Sequence, residues 1–169
     1  MTEFSGKKLQ NVSIITRGSR GDIQPYVAIA LALREQLNCS IRILTNENFG
    51  PFIESFAGIN GGITHVPIFD DLAKPLREDP LLVKAQNEGD TASLIQLGID
   101  EARTCAPKMC RLFFEEMNTH PPDLLICGVE GEYYSLYAST ALNIPTINIV
   151  LSAFTPNPKR APLGFPTLP

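Results

Sequence analysis

Asn11 to Leu37, NVSIITRGSRGDIQPYVAIALALREQL, reads as a strand, a glycine-pinned turn and a helix in one unbroken unit. Val12, Ile14 and Ile15 are β-branched and apolar in a run too short for a helix, which suits a strand buried inside a parallel sheet. Gly18-Ser19-Arg20-Gly21-Asp22 then sets two glycines in a short turn, where the backbone can take positive φ or approach a ligand without a Cβ in the way. Tyr26, Val27, Ile29, Ala30, Leu31, Leu33 and Leu37 form an apolar stripe at helical spacing, and Pro25 is expected in the first turn, where its missing N–H costs nothing. In an open α/β sheet ligands sit beyond the carboxyl ends of the strands, so the Gly18–Asp22 turn lies where chemistry would be.

Outward from this unit the strand-helix alternation continues. Cys39 to Thr45 (CSIRILT) alternates apolar and polar around β-branched residues and predicts a second strand. Phe49, Phe52, Ile53 and Phe56 predict a short helix, stopped by Gly58 and then Gly61-Gly62. Ile63 to Phe69 reads as a third strand, and Pro67 within it suits an outer position or a strand end. Asp70 to Asp90, with Pro75 and Pro80, is the most loop-like part of the chain, and Thr91 to His120 resumes a helical pattern that Pro107 should kink or split. Asp123 to Cys127 is a fourth strand, Gly128 to Gly131 opens a helix over Tyr133 to Leu142, and Thr146 to Leu151 is a fifth strand. The expected fold class is α/β: a Rossmann-like doubly wound parallel sheet with right-handed crossovers and strand order 3-2-1-4-5. Residues 1–10 read as a leader, 11–155 as one domain, and 156–169, with five prolines, as a tail or linker.

The 169-residue length suits one core, and 44% hydrophobic with 19% charged residues is a folded composition. A net charge of −4 gives no electrostatic case for nucleic acid or for steering to an anionic membrane, although peripheral membrane contact through an apolar patch stays open. The polar N-terminus lacks a signal-peptide core and no apolar run is long enough to span a bilayer, so the chain reads as cytoplasmic. Cys39, Cys105, Cys110 and Cys127 show neither CxxC nor metal-ligand spacing, which points to reduced thiols and no metal site. The Arg20-Gly21-Asp22 tripeptide in a cytosolic turn carries no adhesion meaning.

Gly18-Ser19-Arg20-Gly21-Asp22-Ile23-Gln24-Pro25-Tyr26-Val27-Ala28 after an apolar strand resembles the opening of the GT-B glycosyltransferases, in particular the sterol 3-β-glucosyltransferases. Leu44-Thr45-Asn46-Glu47-Asn48-Phe49, Val66-Pro67-Ile68, Ala141-Leu142-Asn143-Ile144-Pro145, Thr155-Pro156 and Phe165-Pro166 resemble later segments of the same family. The resemblance spans nearly the whole chain but only the N-terminal, acceptor-binding half of such an enzyme. It implies one half of a GT-B fold and inverting sugar transfer from a nucleotide sugar, UDP-glucose by analogy, to a sterol or lipid-like alcohol. It also implies that no metal or cofactor is needed, with the UDP-sugar held mainly by a separate donor domain or partner chain. This half alone is then expected to be inactive.

Transfer to an alcohol needs a base near the attacking oxygen. The resemblance places that base at Asp22, while the residue pattern alone favours an acid capping the following helix. A free aspartate titrates near 3.9 and needs a drier pocket to act as an effective base. The resemblance and the edge position together nominate Ser19, Arg20, Gly21, Asn48, Phe49, Glu130 and Phe154 as substrate-binding residues, Phe154 standing where the sterol enzymes commonly carry tryptophan. Turn amides near a helix N-terminus could also face a diphosphate. Glu130 and Glu132 beyond strand four suit either a ligand edge or a solvated loop, and His65 and His120 read as structural. The competing reading is a non-catalytic binding or regulatory module that keeps the half-fold.

Overall fold

Strand β1 (Asn11–Ile15) takes parallel partners on both sides, β2 (Ser40–Asn46) and β4 (Leu124–Cys127), with Ile14 level with Ile43 and Ile126. The computed structural model describes residues 8–71, 73–128 and 131–149, and in it β3 (Ile63–Phe69) and β5 (Thr146–Asn148) complete a parallel sheet in the order β3-β2-β1-β4-β5. This is the expected order. A strand flanked on both edges and both faces is largely apolar: Val12, Ile14 and Ile15 are each at most 1% exposed, with Ser13 buried among them.

Two helical layers cover the sheet. On one face, α1 (Arg20–Leu37) and α2 (Gly50–Asn60) pack Ile23, Tyr26, Val27, Ala30 and Ile53 against Val12, Ile14, Ile41 and Ile43. On the other, α5 (Thr91–Thr119) and α6 (Glu132–Ala141) pack Met109, Phe113, Met117 and Ala138 against Ile15, Leu44, Leu125 and Cys127. Glu116 of α5, buried, pairs with Arg42 of β2 and ties that layer to the sheet by charge as well as by packing.

Several local expectations change. Helix α1 begins at Arg20, so Pro25 stands inside the helix rather than in its first turn. The stretch 70–90 is not a loop but carries α3 (Ala73–Glu78) and α4 (Pro80–Glu88). Asp79 caps α4 by accepting from the amides of Leu81 at 2.8 Å and Leu82 at 3.3 Å, and Pro80 fills the first helical position. Pro107 leaves α5 continuous over 29 residues; Pro107 and Arg103, whose carbonyl it deprives of a donor, both lie on the exposed side, where water can replace the bond. Gly58 lies within α2, and Gly61 and Gly62, with φ of 60° and 77°, make the stop. Residues 8–10 of the expected leader are anchored: the Gln10 amide donates to Asp123 Oδ2 and its carbonyl accepts from the Ser40 amide. The strand-five segment keeps pairing through Ile149 N–H to the Cys127 carbonyl at 2.8 Å, whereas Val150, Leu151 and residues 152–169 lie outside the described residues, as do residues 1–7.

Candidate functional site

All five strands end at one edge, and between β1 and β4 the winding reverses: β2 and β3 lie to one side of β1, β4 and β5 to the other. The crevice at such a reversal is where open α/β sheets hold ligands. Its two rims are joined closely. Gly128 N–H donates to the Ile15 carbonyl at 2.9 Å, and Gly131 N–H to the Gly128 carbonyl at 2.8 Å. A Cβ on Gly128 would meet the Tyr26 hydroxyl at 2.9 Å, and one on Gly131 would meet Ile15 Cγ2 at 3.0 Å, so any side chain at either position has to displace its neighbours. The Tyr26 hydroxyl passes under this rim and donates to the Ile149 carbonyl at 2.7 Å. Burial raises its pKa, with smaller contributions from Cys127 and from the Asp22 carboxylate.

Ser19 is the N-cap of α1, and Asp22 occupies the third helical position. Asp22 Oδ2 accepts from the Ser19 amide at 2.7 Å and from the Ser19 hydroxyl at 2.8 Å. Negative charge is favoured there by the amides of the helix start. The turn reaches this geometry because Gly18 adopts φ of +134°; a Cβ on it would fall 2.5 Å from Asp22 Oδ2 and 2.9 Å from Asp22 Cβ. The capping reading of Asp22 is thus met by one of its two oxygens. One oxygen completes the cap; Oδ1 has no hydrogen-bond partner among the described residues, and the side chain is exposed at the crevice.

A residue not nominated above holds the other rim. Asn46, fully buried at the end of β2, accepts from the Gly18 amide at 3.2 Å and donates from Nδ2 to the Asp70 carbonyl at 2.8 Å, joining the ends of β1, β2 and β3. It sits where the β2–β3 register shifts at Thr45/Asn46, the kind of bulge that re-aims side chains beside a site. Its own carbonyl lies 3.2 Å from His65 Nε2, and Gly50 leaves room for that ring, since a Cβ there would be 3.1 Å from His65 Nδ1. Burial lowers the His65 pKa below the ordinary 6.5, with the Asn46 contact and the Glu54 charge opposing it in part. The folded state thus favours neutral His65. The corresponding stability is present above about pH 6.5, and it is lost as pH falls from there through the folded value. In urea titrations at pH 7.5 and 5.5, His65→Gln is expected to show a smaller acid loss than the wild type; equal losses would contradict this role.

The other nominated residues are distributed unevenly. Arg20 is exposed and holds its guanidinium 4.7 Å above the Phe52 ring. Gly21 faces open space: a Cβ added there would have Ser19 Oγ as its nearest neighbour, at 3.6 Å. Asn48 is exposed in a 3₁₀ turn (Glu47–Phe49). Phe49 is packed into the α1-side core at 9% exposure, its ring edge-on to that of Phe52. Glu130 and Phe154 lie outside the described residues. On the α5–α6 side the edge is aromatic: Tyr134 contacts Phe69 and Phe113, with centroids at 6.0 and 4.8 Å, and Phe114 contacts Tyr137 at 4.4 Å. The four cysteines are free thiols, and burial pushes Cys127 up to about 12, which marks it as packing rather than a nucleophile. Among the described residues no cluster of three or more His, Cys, Asp or Glu could hold a metal ion, and no helix is long and apolar enough to cross a membrane.

Comparison with solved structures bears on what this edge belongs to. The calicheamicin glycosyltransferase superposes over 92% of this chain and 34% of its own, with TM-score 0.57 and 12% identity. UGT2 of Phytolacca americana, solved with UDP-2-fluoro-glucose and pterostilbene, superposes over 85% of this chain and 31% of its own, with TM-score 0.50 and 15% identity. The fold is one half of a GT-B fold. At these identities the GT-B likeness concerns architecture. Among curated proteins, the sterol 3-beta-glucosyltransferase of Saccharomyces cerevisiae is 26% identical over 145 residues, 85% of this chain and 11% of the relative. That of Komagataella phaffii is 38% identical over 55 residues, 32% of this chain and 4% of the relative. The chain thus spans about a tenth or less of the length of these relatives. No family model matches it.

Proposed function

We propose that this chain is the acceptor-binding half of a nucleotide-sugar-dependent glycosyltransferase acting on a sterol or another lipid-like alcohol. A donor domain or partner chain would supply the UDP-sugar, UDP-glucose in the simplest case. The observation that carries the reading is the Asp22 carboxylate: one oxygen is fixed by Ser19 and the other is unpartnered among the described residues, at the winding reversal of a GT-B-type sheet. The relatives named as sterol glucosyltransferases support the acceptor class. The neighbour solved with a UDP-sugar analogue and an aromatic alcohol supports the pairing of substrates.

In this mechanism the acceptor hydroxyl donates to Asp22 Oδ1. Its oxygen attacks the anomeric carbon as the bond from that carbon to the diphosphate breaks, the configuration inverts, UDP leaves, and the proton passes to Asp22 and then to solvent. Asp22 is exposed in this half, so the drying that raises a carboxylate's basicity has to come from closure of the donor half over the crevice. Titration of the isotope-labelled chain with a soluble sterol alcohol, followed by amide chemical shifts, tests the acceptor site. Shifts are expected at Gly18–Ile23 and Asn46 and not at the opposite edge, at Asn38, Gly61 or Gly62. Shifts confined to the opposite edge would overturn the assignment.

A further inference from the structure

Most cations among the described residues have visible occupations or stand free in water. Arg42 pairs with Glu116, Arg77 with Asp71 and Lys108 with Asp70; Arg34 donates to the Gly61 and Cys39 carbonyls and to Asn38. Exposed Arg20 needs no partner beyond water and the Phe52 ring. Arg17 is different: it is partly buried in the turn after β1, its Nε is enclosed with no hydrogen-bond partner, and among the described residues no carboxylate pairs with it. Its one charge contact there is the Phe69 ring, 5.6 Å from the guanidinium carbon, a distance at which a cation–π contact offsets little of the desolvation. An enclosed guanidinium N–H is ordinarily hydrogen-bonded, and an acceptor brought by a ligand is the natural account of one that is not.

The surroundings say what kind of molecule would bring that anion. Phe69 also contacts Tyr134, Tyr134 contacts Phe113, and the Arg17 charge is felt by the Tyr134 hydroxyl. Arg17 therefore stands at the junction of an aromatic wall and the crevice rim that carries Ser19 and Asp22. A free inorganic anion would use the charge and ignore the wall; an apolar molecule with an acidic group would use both. We propose that Arg17 is a specificity-determining residue that binds an anionic oxyacid group of the acceptor. The acceptor class is then a lipid-like alcohol bearing a carboxylate, sulfate or phosphate, not a neutral sterol. This rests on the acceptor-half reading above and narrows it.

The test uses the full chain with a matched pair, deoxycholate and its methyl ester, below their aggregation limits, and with inorganic phosphate as the free-anion probe. Calorimetric titration is expected to show the acid binding about tenfold tighter than the ester, the scale of a charge-assisted hydrogen bond. Arg17→Gln is expected to erase the difference while leaving ester binding unchanged, and Arg17→Lys to restore part of it. Equal affinities in the wild type, or a preference that survives Arg17→Gln, would overturn the inference while leaving the acceptor reading intact. Binding of neither steroid would count against both. Phosphate binding as tightly as the acid would replace the acceptor-linked anion by a free-anion pocket and so also overturn the inference.

Discussion

Asp22→Asn is expected to lower sugar transfer by about 10²–10⁴-fold in an enzyme reassembled from this chain and a donor domain, the usual contribution of a positioned general base. The substitution isolates chemistry from structure. An amide oxygen can still accept from the Ser19 amide and hydroxyl, which lie 2.7 and 2.8 Å from Asp22 Oδ2, so the start of α1 is preserved. At the third helical position the exchange gives up a negative charge that the helix start favours, and the stability loss should stay within about 1 kcal/mol. What the amide cannot do is take a proton from an alcohol. Acceptor affinity should therefore change little while turnover collapses. A variant that keeps turnover within a few-fold of the wild type would mean that another group receives the proton and that Asp22 is only a cap.

Gly18→Ala is expected to destabilise the fold by roughly 2–4 kcal/mol, combining an unfavourable backbone conformation with steric overlap. For a chain of this size that corresponds to a fall in melting temperature of roughly 5–15 °C. Two features make the position intolerant. Its φ of +134° is one that side chains rarely adopt, and the new Cβ would approach not only the Asp22 carboxylate but Asp22 Cβ at 2.9 Å. The carboxylate could rotate away at the loss of its bonds to Ser19, but the Cβ is fixed by helix α1 and cannot. Thermal unfolding followed by circular dichroism reads the effect directly. A melting temperature within about 2 °C of the wild type would show that the turn relaxes freely and that its geometry is not set by Gly18.

The sheet order is legible in the sequence because strand and helix alternate along the chain and right-handed crossovers leave few arrangements open. The α3–α4 region is not, because Pro75 and Pro80 read as breakers. Pro80 instead follows the capping Asp79 at the first helical position, where an imide nitrogen forfeits nothing. The Gly18–Asp22 turn is legible as a tight turn at the carboxyl edge of the sheet, since glycines after a buried strand announce backbone that must come close to something. Asn46 is harder to single out beside its exposed neighbour Asn48. The available signal is a polar amide at the last position of a buried strand, a place that demands hydrogen-bond partners. Arg17 gives no signal at all, because whether a charged turn residue is enclosed and unpaired depends on Phe69, which is distant in sequence.

The most direct measurement of the central claim is UDP-glucose turnover over a panel of sterols and acidic lipid-like alcohols. It is made with this chain alone, with a separately expressed donor domain from a related glycosyltransferase alone, and with the two together. Glycosylated acceptor and free UDP are expected only from the mixture, because in the proposed mechanism each half holds one substrate. Stable association of the halves with no transfer to any acceptor would contradict the account and leave a binding module that has kept the half-fold without its chemistry.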